Sequence, residues 1–389
     1  MKYILLLFLL NIHAVIYCQN FQELDDIPFT GVKDGTLIFF DMDGDSDNDL
    51  LISGENSTGS GIIQLYANDG KGNFTEMTNS LPQGIYHCHI ATNDFDLDGD
   101  IDIVLAGILR DNLNEEKIMQ LYTNNGLGDF TKEVNSLPEY GSGPILLEDV
   151  DGNSLPDILV SDFFSSFPVV LFKQISLAEF DTLSWYSDLN YEQHTMALAD
   201  MDNDTYPDLL ISGTSKRGVN YTHLYKNDGS GIFNLKPEAT SNGVNYGLLA
   251  IADVDKDGDF DYFISGSYAD PNSPLGLSVK EAKMLINDGN ANFTVSKNNP
   301  FHPVDEGEAV FADIDGDSDM DLLVCGSYTT NIYINEEGIF EKMKDLKMIG
   351  LSQAAVAIAD VDGDGDPDVL ISGDDDQNCV IKLYLNNSK

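Results

Sequence analysis

"DMDGDSDNDLLISG", residues 41 to 54, carries an aspartate at every second position for nine residues and then turns abruptly into an apolar run closed by glycine. The run reads as a buried strand. Five carboxylates crowded in front of it repel one another unless something neutralises them, and the rest of the reading follows from asking what does.

The stretch recurs six times. It returns as "DFDLDGDIDIVLAG" at 94, "DVDGNSLPDILVSD" at 149, "DMDNDTYPDLLISG" at 200, "DVDKDGDFDYFISG" at 253, "DIDGDSDMDLLVCG" at 313 and "DVDGDGDPDVLISG" at 360, with 47 to 60 residues between successive starts. A second element follows most copies: "LYANDGKGNF" at 65, "LYTNNGLGDF" at 121, "LYKNDGSGIF" at 224, "LINDGNANF" at 285 and "IYINEEGIF" at 332, with a degenerate "LFKQISLAEF" at 171. Short apolar runs flank both elements, so each unit holds about four short strands and no helical periodicity. A period of about 50 residues built from four strands is that of a propeller blade, and seven units predict an all-β, seven-bladed ring; a linear solenoid is the alternative. The ends favour the ring. The chain stops at "IKLYLNNSK", before the strand that should follow, while "NFQELDDIP" from residue 20 matches "NFTEMTNSLP" from residue 73. The N-terminal segment is therefore expected to share the last blade and leave no free edge.

With the first aspartate as position 1, positions 1, 3, 5 and 9 offer oxygen ligands in every copy. They are Asp41, Asp43, Asp45 and Asp49, then Asp94, Asp96, Asp98 and Asp102, then Asp149, Asp151, Asn153 and Asp157. The fourth and fifth sets are Asp200, Asp202, Asp204 and Asp208, and Asp253, Asp255, Asp257 and Asp261. Asp313, Asp315, Asp317 and Asp321, and Asp360, Asp362, Asp364 and Asp368, complete the series. Position 7 is Asp47, Asp100, Asp259, Asp319 and Asp366 in five copies but Leu155 and Tyr206 in the third and fourth. In a loop wrapped around calcium, position 7 binds through its backbone carbonyl, so its side chain is free to vary, while hard oxygen donors at the other four positions fill a six- or seven-fold shell. Positions 4 and 6 are mostly small or polar, as a tight turn requires. Magnesium suits the pattern less well because it keeps several waters. Plain polar turns, the bland alternative, do not need four spaced carboxylates. The expectation is up to seven structural calcium ions, held least firmly in the third copy, where only Asp149, Asp151 and Asp157 are anionic.

The loops take 32 of the 66 acids: five in each of five copies, four in the fourth and three in the third. A formal charge of −46 excludes nucleic acid and anionic membrane surfaces as partners. Yet 42% of the residues are apolar, which is not the composition of a disordered acidic chain. The opening "MKYILLLFLLNIHAVIYC" has one lysine before an apolar stretch too short to span a bilayer, so residues 1–18 are read as a signal peptide and 19–389 as a single domain. Tyr17 before Cys18 speaks against a lipid anchor. No later segment reaches the length of a membrane span, and the expected location is secreted or cell-surface associated, extracellular or periplasmic. The odd count of Cys88, Cys325 and Cys379 indicates neither a disulfide framework nor a zinc cluster; one disulfide stays open, and Cys325 sits where other copies carry Ser or Ala.

The loops and the strands after them resemble the FG-GAP and VCBS repeat family, the calcium-loop blades of integrin alpha subunits and of many exported bacterial proteins. The resemblance runs from Asn20 to Ser388 and implies calcium loops that join the first and second strands of each blade on one face.

The opposite face then gathers Tyr86, His87, His89, Tyr140, Trp185, Tyr186, Tyr191, His194, Tyr246, Phe301 and His302 ahead of the first strands, with Tyr221, Tyr268 and Tyr328 near second-to-third connections. Such side chains stack on sugars or anchor a protein partner, or simply pack between blades. Trp185, Tyr186, Tyr191 and His194 in "LSWYSDLNYEQH" are the leading ligand candidates, because the third unit is the most eroded; the insertion at 266 to 283 comes second. No G-x-S-x-G, H-E-x-x-H or phosphate-cradling motif is present, and the histidines lack a repeated carboxylate partner. The chain is expected to be a monomeric, non-catalytic binding or adhesion module for a protein or cell-surface ligand, with a carbohydrate-binding propeller as the alternative and an enzyme with a central-channel site behind both.

Overall fold

The computed structural model describes residues 20–387 except 112–113, 135–136, 163–168, 178, 186–190, 216–217, 240 and 270–277, with only the backbone described at 111, 114, 182–185 and 191–193. The proposed signal peptide, Tyr186, the side chains of Trp185 and Tyr191, and most of the insertion at 266 to 283 lie outside the described residues.

The described chain forms seven antiparallel sheets. The first consists of Val32–Phe40, Asp49–Asn56, Gly61–Asn68 and Phe74–Met77 in chain order, and the acidic loop joins its first and second strands. The next five repeat this order, with a short extra strand, Ser241–Asn242, on the fourth. The seventh is built from Ser352–Ala359, Asp368–Asp374 and Cys379–Asn386, and its outermost strand is Phe21–Glu23. Phe21 pairs with Asn386 as Phe74 pairs with Asn68, so the N-terminal strand takes in the seventh blade the register that the fourth strand takes in the first.

The second strands are apolar without alternation because both of their faces are covered. Leu50 and Ile52 pack into a cluster with Leu370 and Leu383 of the seventh blade, and Leu51 between them packs with Ile103 and Leu105 of the second. Seven such clusters exist, one at each junction between neighbouring blades, and the one joining the first blade to the seventh completes a seven-bladed propeller. A linear solenoid would leave that junction bare. Cys88 and Cys325 are fully buried and Cys379 half-buried, and all three are free thiols. The one helical element among the described residues is a 3-10 turn, Pro237–Ala239, and no helix is long and apolar enough to cross a membrane.

Candidate metal centres and the channel mouth

Each acidic loop is curled by two residues in the left-handed region, at positions 4 and 6, in all seven copies: Gly44 and Ser46 in the first, Leu97 and Gly99 in the second, Lys256 and Gly258 in the fifth. Leucine and lysine adopt this region only at a steric cost of about 1–2 kcal/mol, so the loop geometry is imposed rather than incidental. The curl turns the position 1 carboxylate inward as a cap: Asp41 accepts the amides of Gly44 at 2.8 Å and Ser46 at 3.0 Å.

Position 9 lies beneath the loop. All seven of its aspartates are at most 1% exposed, and each accepts the amide of position 2 on one oxygen and an amide at the end of its third strand on the other. Burial pushes Asp49 and Asp102 up to about 6, and Asp157, Asp208, Asp261, Asp321 and Asp368 up to about 7.

Position 3 tests whether the loops suit a cation. The Oδ1 atoms of Asp43, Asp151, Asp202, Asp255 and Asp315 are buried and receive no hydrogen bond. A buried carboxylate oxygen without a donor is costly unless a cation meets it. Burial, then repulsion from position 5, holds Asp43, Asp255 and Asp315 above the usual carboxylate range. In the first loop Asp41, Asp43 and Asp45, and in the second to fifth loops positions 1, 3 and 9, each bring one oxygen within 4.8 Å of the others. The donor set is all oxygen and largely anionic, which fits a hard divalent cation.

Position 7 points elsewhere. A Cβ added to the third-to-fourth-strand turn at Gly70, Gly126 or Gly289 would lie 2.5 Å from an oxygen of Asp47, Asp100 or Asp259, and one on Gly229 would lie 2.6 Å from the Tyr206 ring. The side chain at position 7 covers that turn, so Tyr206 serves as well as aspartate. The third blade, with Leu155, has no glycine there. Blades three and four also carry lysines on their third strands: Lys173 Nζ lies 2.7 Å from Asp151 Oδ2, and Lys226 contacts Asp202 and approaches Asp204 at 3.6 Å.

At the other end of the first strands the central channel opens into a cavity of about 530 Å³ lined by all seven blades. Its rim is set by an unusual backbone. Asp34, His87, Tyr246 and Gln353 share a φ of 47° beside a break in register with the second strand, and Glu306 at 53° takes the matching place in the sixth blade. All five line the cavity with His89 and His194. Burial, then His87 and His194, pushes His89 down to about 4, while burial pushes Glu308 up to about 7. The carboxylates brace neighbouring blades: Gln353 donates to Asp34 at 2.6 Å, Ser352 to Glu306 at 3.0 Å and the Val356 amide to Glu308 at 2.7 Å. The histidines thus do have carboxylates around the same cavity, a grouping that the sequence conceals because Asp34, Glu306 and Glu308 belong to distant repeats. Of the aromatics expected on this face, Tyr140 and Phe301 are core residues, packed on Phe172 and on Phe263 and Tyr333, whereas His87, His89, His194 and Tyr246 reach the channel.

An FG-GAP-like repeat model matches residues 41–105, 94–160, 200–264 and 313–371, which together include all seven acidic loops. The chain belongs to the FG-GAP-like repeat family. The T-cell immunomodulatory protein of Rattus norvegicus is 24% identical over 257 residues, 61% of this chain but 39% of that protein, so the chain spans well under half of this relative's length. Among solved structures, a lectin of Agrocybe aegerita that recognises non-reducing terminal N-acetylglucosamine superposes with a TM-score of 0.54 at 16% identity, covering 92% of this chain and 91% of that one, a likeness of fold.

The FG-GAP-like repeats are also stitched to one another by a residue that sequence reasoning passed over. At the end of each third strand, or within two residues of it, stands Asn68, Asn124, Gln174, Asn227, Asn287, Asn335 or Asn386, whose side-chain amide donates at 2.8–2.9 Å to the position 2 carbonyl of the preceding blade's loop. Asn68 donates to Val361, so the belt runs unbroken from the first blade to the seventh. The signal was present as the Asn in "LYANDG", "LYTNNG" and "LYKNDG", but it reads as turn chemistry.

Proposed function

We propose that this protein is an exported, monomeric, calcium-stabilised propeller that acts as a non-catalytic binding module and takes its ligand at the mouth of the central channel, on the face opposite the acidic loops. One observation carries the reading. Within a single chain the repeats keep the acidic loops nearly constant, yet at one left-handed backbone position they present aspartate, histidine, tyrosine, glutamate and glutamine to a common cavity. Strained positions with varied side chains converging on one pocket are what a ligand-facing ring requires, and a cavity of about 530 Å³ accommodates a compact ligand or the tip of a larger one. Calcium is supported by the all-oxygen donor sets and the orphaned position 3 oxygens, and export by the N-terminal sequence. The channel carboxylates brace neighbouring blades, which favours binding over catalysis.

The test places the wild-type protein and the triple variant H87A/Y246A/Q353A on a glycan array and in an intact-cell binding assay, in calcium. Binding lost by the variant at an unchanged melting temperature supports the channel mouth, and binding that survives overturns it. The array separates a carbohydrate ligand, such as the lectin of like fold recognises, from a protein one.

A further inference from the structure

Blades three and four differ from the other five in two ways that coincide. Their position 7 residues are Leu155 and Tyr206 rather than aspartate, and their third strands place a lysine against the position 3 carboxylate where the others carry Ala67, Thr123, Ile286, Ile334 and Leu385. Lys173 binds Asp151 through Oδ2 at 2.7 Å and also donates to the Ser230 carbonyl at 3.2 Å. Lys226 bridges Asp202 and Asp204, positions 3 and 5 of one loop. In both blades Oδ1 of the same position 3 aspartate stays buried and without a donor. The ammonium therefore does not fill the place of the ion; it fixes a positive charge on the far side of the carboxylate that the ion must share.

We propose that Lys173 and Lys226 are built-in counter-charges that set blades three and four apart as a weak pair, so that the ring takes up calcium in two classes, five tight sites and two weak ones. The inference rests on calcium filling the loops. A unit charge and a divalent ion separated by the width of a carboxylate, roughly 5–6 Å, repel enough to weaken binding about tenfold even at the dielectric of water. Lys256, which contacts Asp319 of the sixth loop, supplies the contrast. Asp319 is a position 7 residue whose other oxygen accepts the Glu337 amide at 2.9 Å in the turn, so this lysine's direct contact is with the turn-facing residue and it reaches the ligand positions Asp317 and Asp313 only beyond ion-pair distance.

The experiment is calorimetric titration of metal-stripped protein with calcium alone, with native mass spectrometry counting bound ions. The expected result is five ions in a tight class and two in a class at least tenfold weaker. In K173M/K226M the weak class should tighten about tenfold, in K226M alone one site should do so, and in K256M the pattern should stay as in the wild type. Seven equivalent sites, or a five-to-two pattern unmoved in K226M and the double variant, overturns the inference while leaving the calcium reading intact. No uptake at millimolar calcium overturns both.

Discussion

Asn335 offers the cleanest test of what holds the ring together. It is fully buried, donates its side-chain amide to the Val254 carbonyl of the fifth blade at 2.8 Å and to the Met320 carbonyl at 3.2 Å, and accepts the Gly338 amide at 2.9 Å. In Asn335→Leu the branched outline of the side chain is kept, in a somewhat larger group, and all three side-chain bonds vanish. Val254 is 1% exposed, so water does not replace the lost donor. One buried carbonyl left unmet costs about 1–3 kcal/mol, and the loss of the Met320 and Gly338 bonds nearer the surface adds about 1 kcal/mol, for a total of about 2–4 kcal/mol. Asn335→Asp should be worse, because a carboxylate cannot donate and faces a carbonyl oxygen. Urea unfolding in excess calcium should show a lower midpoint at unchanged slope, against less than about 0.5 kcal/mol for Asn234→Ala, whose exposed side chain donates to the Ile232 carbonyl just ahead of its strand. A loss in Asn335→Leu no larger than that control would refute the belt as a source of stability.

Other consequences are equally measurable. Chelation should lower the melting temperature sharply: in ~1 mM calcium, five sites with a dissociation constant on the order of 10⁻⁴ M contribute about 1.4 kcal/mol each and two tenfold weaker sites about 0.4 kcal/mol each, roughly 8 kcal/mol together, and an unchanged melting curve rules out structural calcium. The metal-free protein should grow less stable as pH rises from about 4 to about 7, because the position 9 aspartates, raised to about 6 to 7 in the fold, bind protons there more readily than the unfolded chain does; equal or greater stability at pH 7.5 than at pH 5 would contradict this. Calcium should reverse the trend, since protons compete with it for the same oxygens. Gly289→Ala should destabilise by about 1–3 kcal/mol, having both a φ of 74° and a Cβ 2.5 Å from Asp259, and relief in the double variant G289A/D259A would trace part of that cost to the contact.

The seven loops and the strands beside them could be read from the chain because side-chain type and spacing act there over fewer than ten residues, and the place of the N-terminal strand could be read because its sequence matches the strand at 73 that it stands in for. The channel rim and the amide belt could not. Asn335 meets Val254 across 81 residues, and Gln353 meets Asp34 across 319, so their chemistry exists only once the blades are stacked. The lysines were hidden differently. Lys226 stands in "LYKNDG" as an ordinary strand residue, and nothing local says that its stem carries the ammonium to the loop of the same blade. Trp185, favoured because its unit is eroded, has its side chain outside the described residues; the erosion that is described in the third blade consists of Leu155, Gln174 and the missing turn glycine.

The position 9 aspartate joins these separate observations. It lies under the proposed ion with one oxygen on the position 2 amide and the other on the amide of the belt residue, and the carbonyl of position 2 receives the belt residue of the next blade. Charge on Asp321 therefore bears at once on Asn335 of its own blade, on Asn386 of the seventh through Ile314, and on whatever ion the loop takes up. Without a cation this carboxylate resists ionisation, and a protonated aspartate gives up an acceptor that one of the two amides needs. With a cation above it, full ionisation becomes favourable and both amides are met. On the proposed calcium reading, metal binding and blade-to-blade attachment form one linked equilibrium repeated seven times around a closed circuit, which is a physical reason for a small ring to place nearly half of its acids in its hairpins.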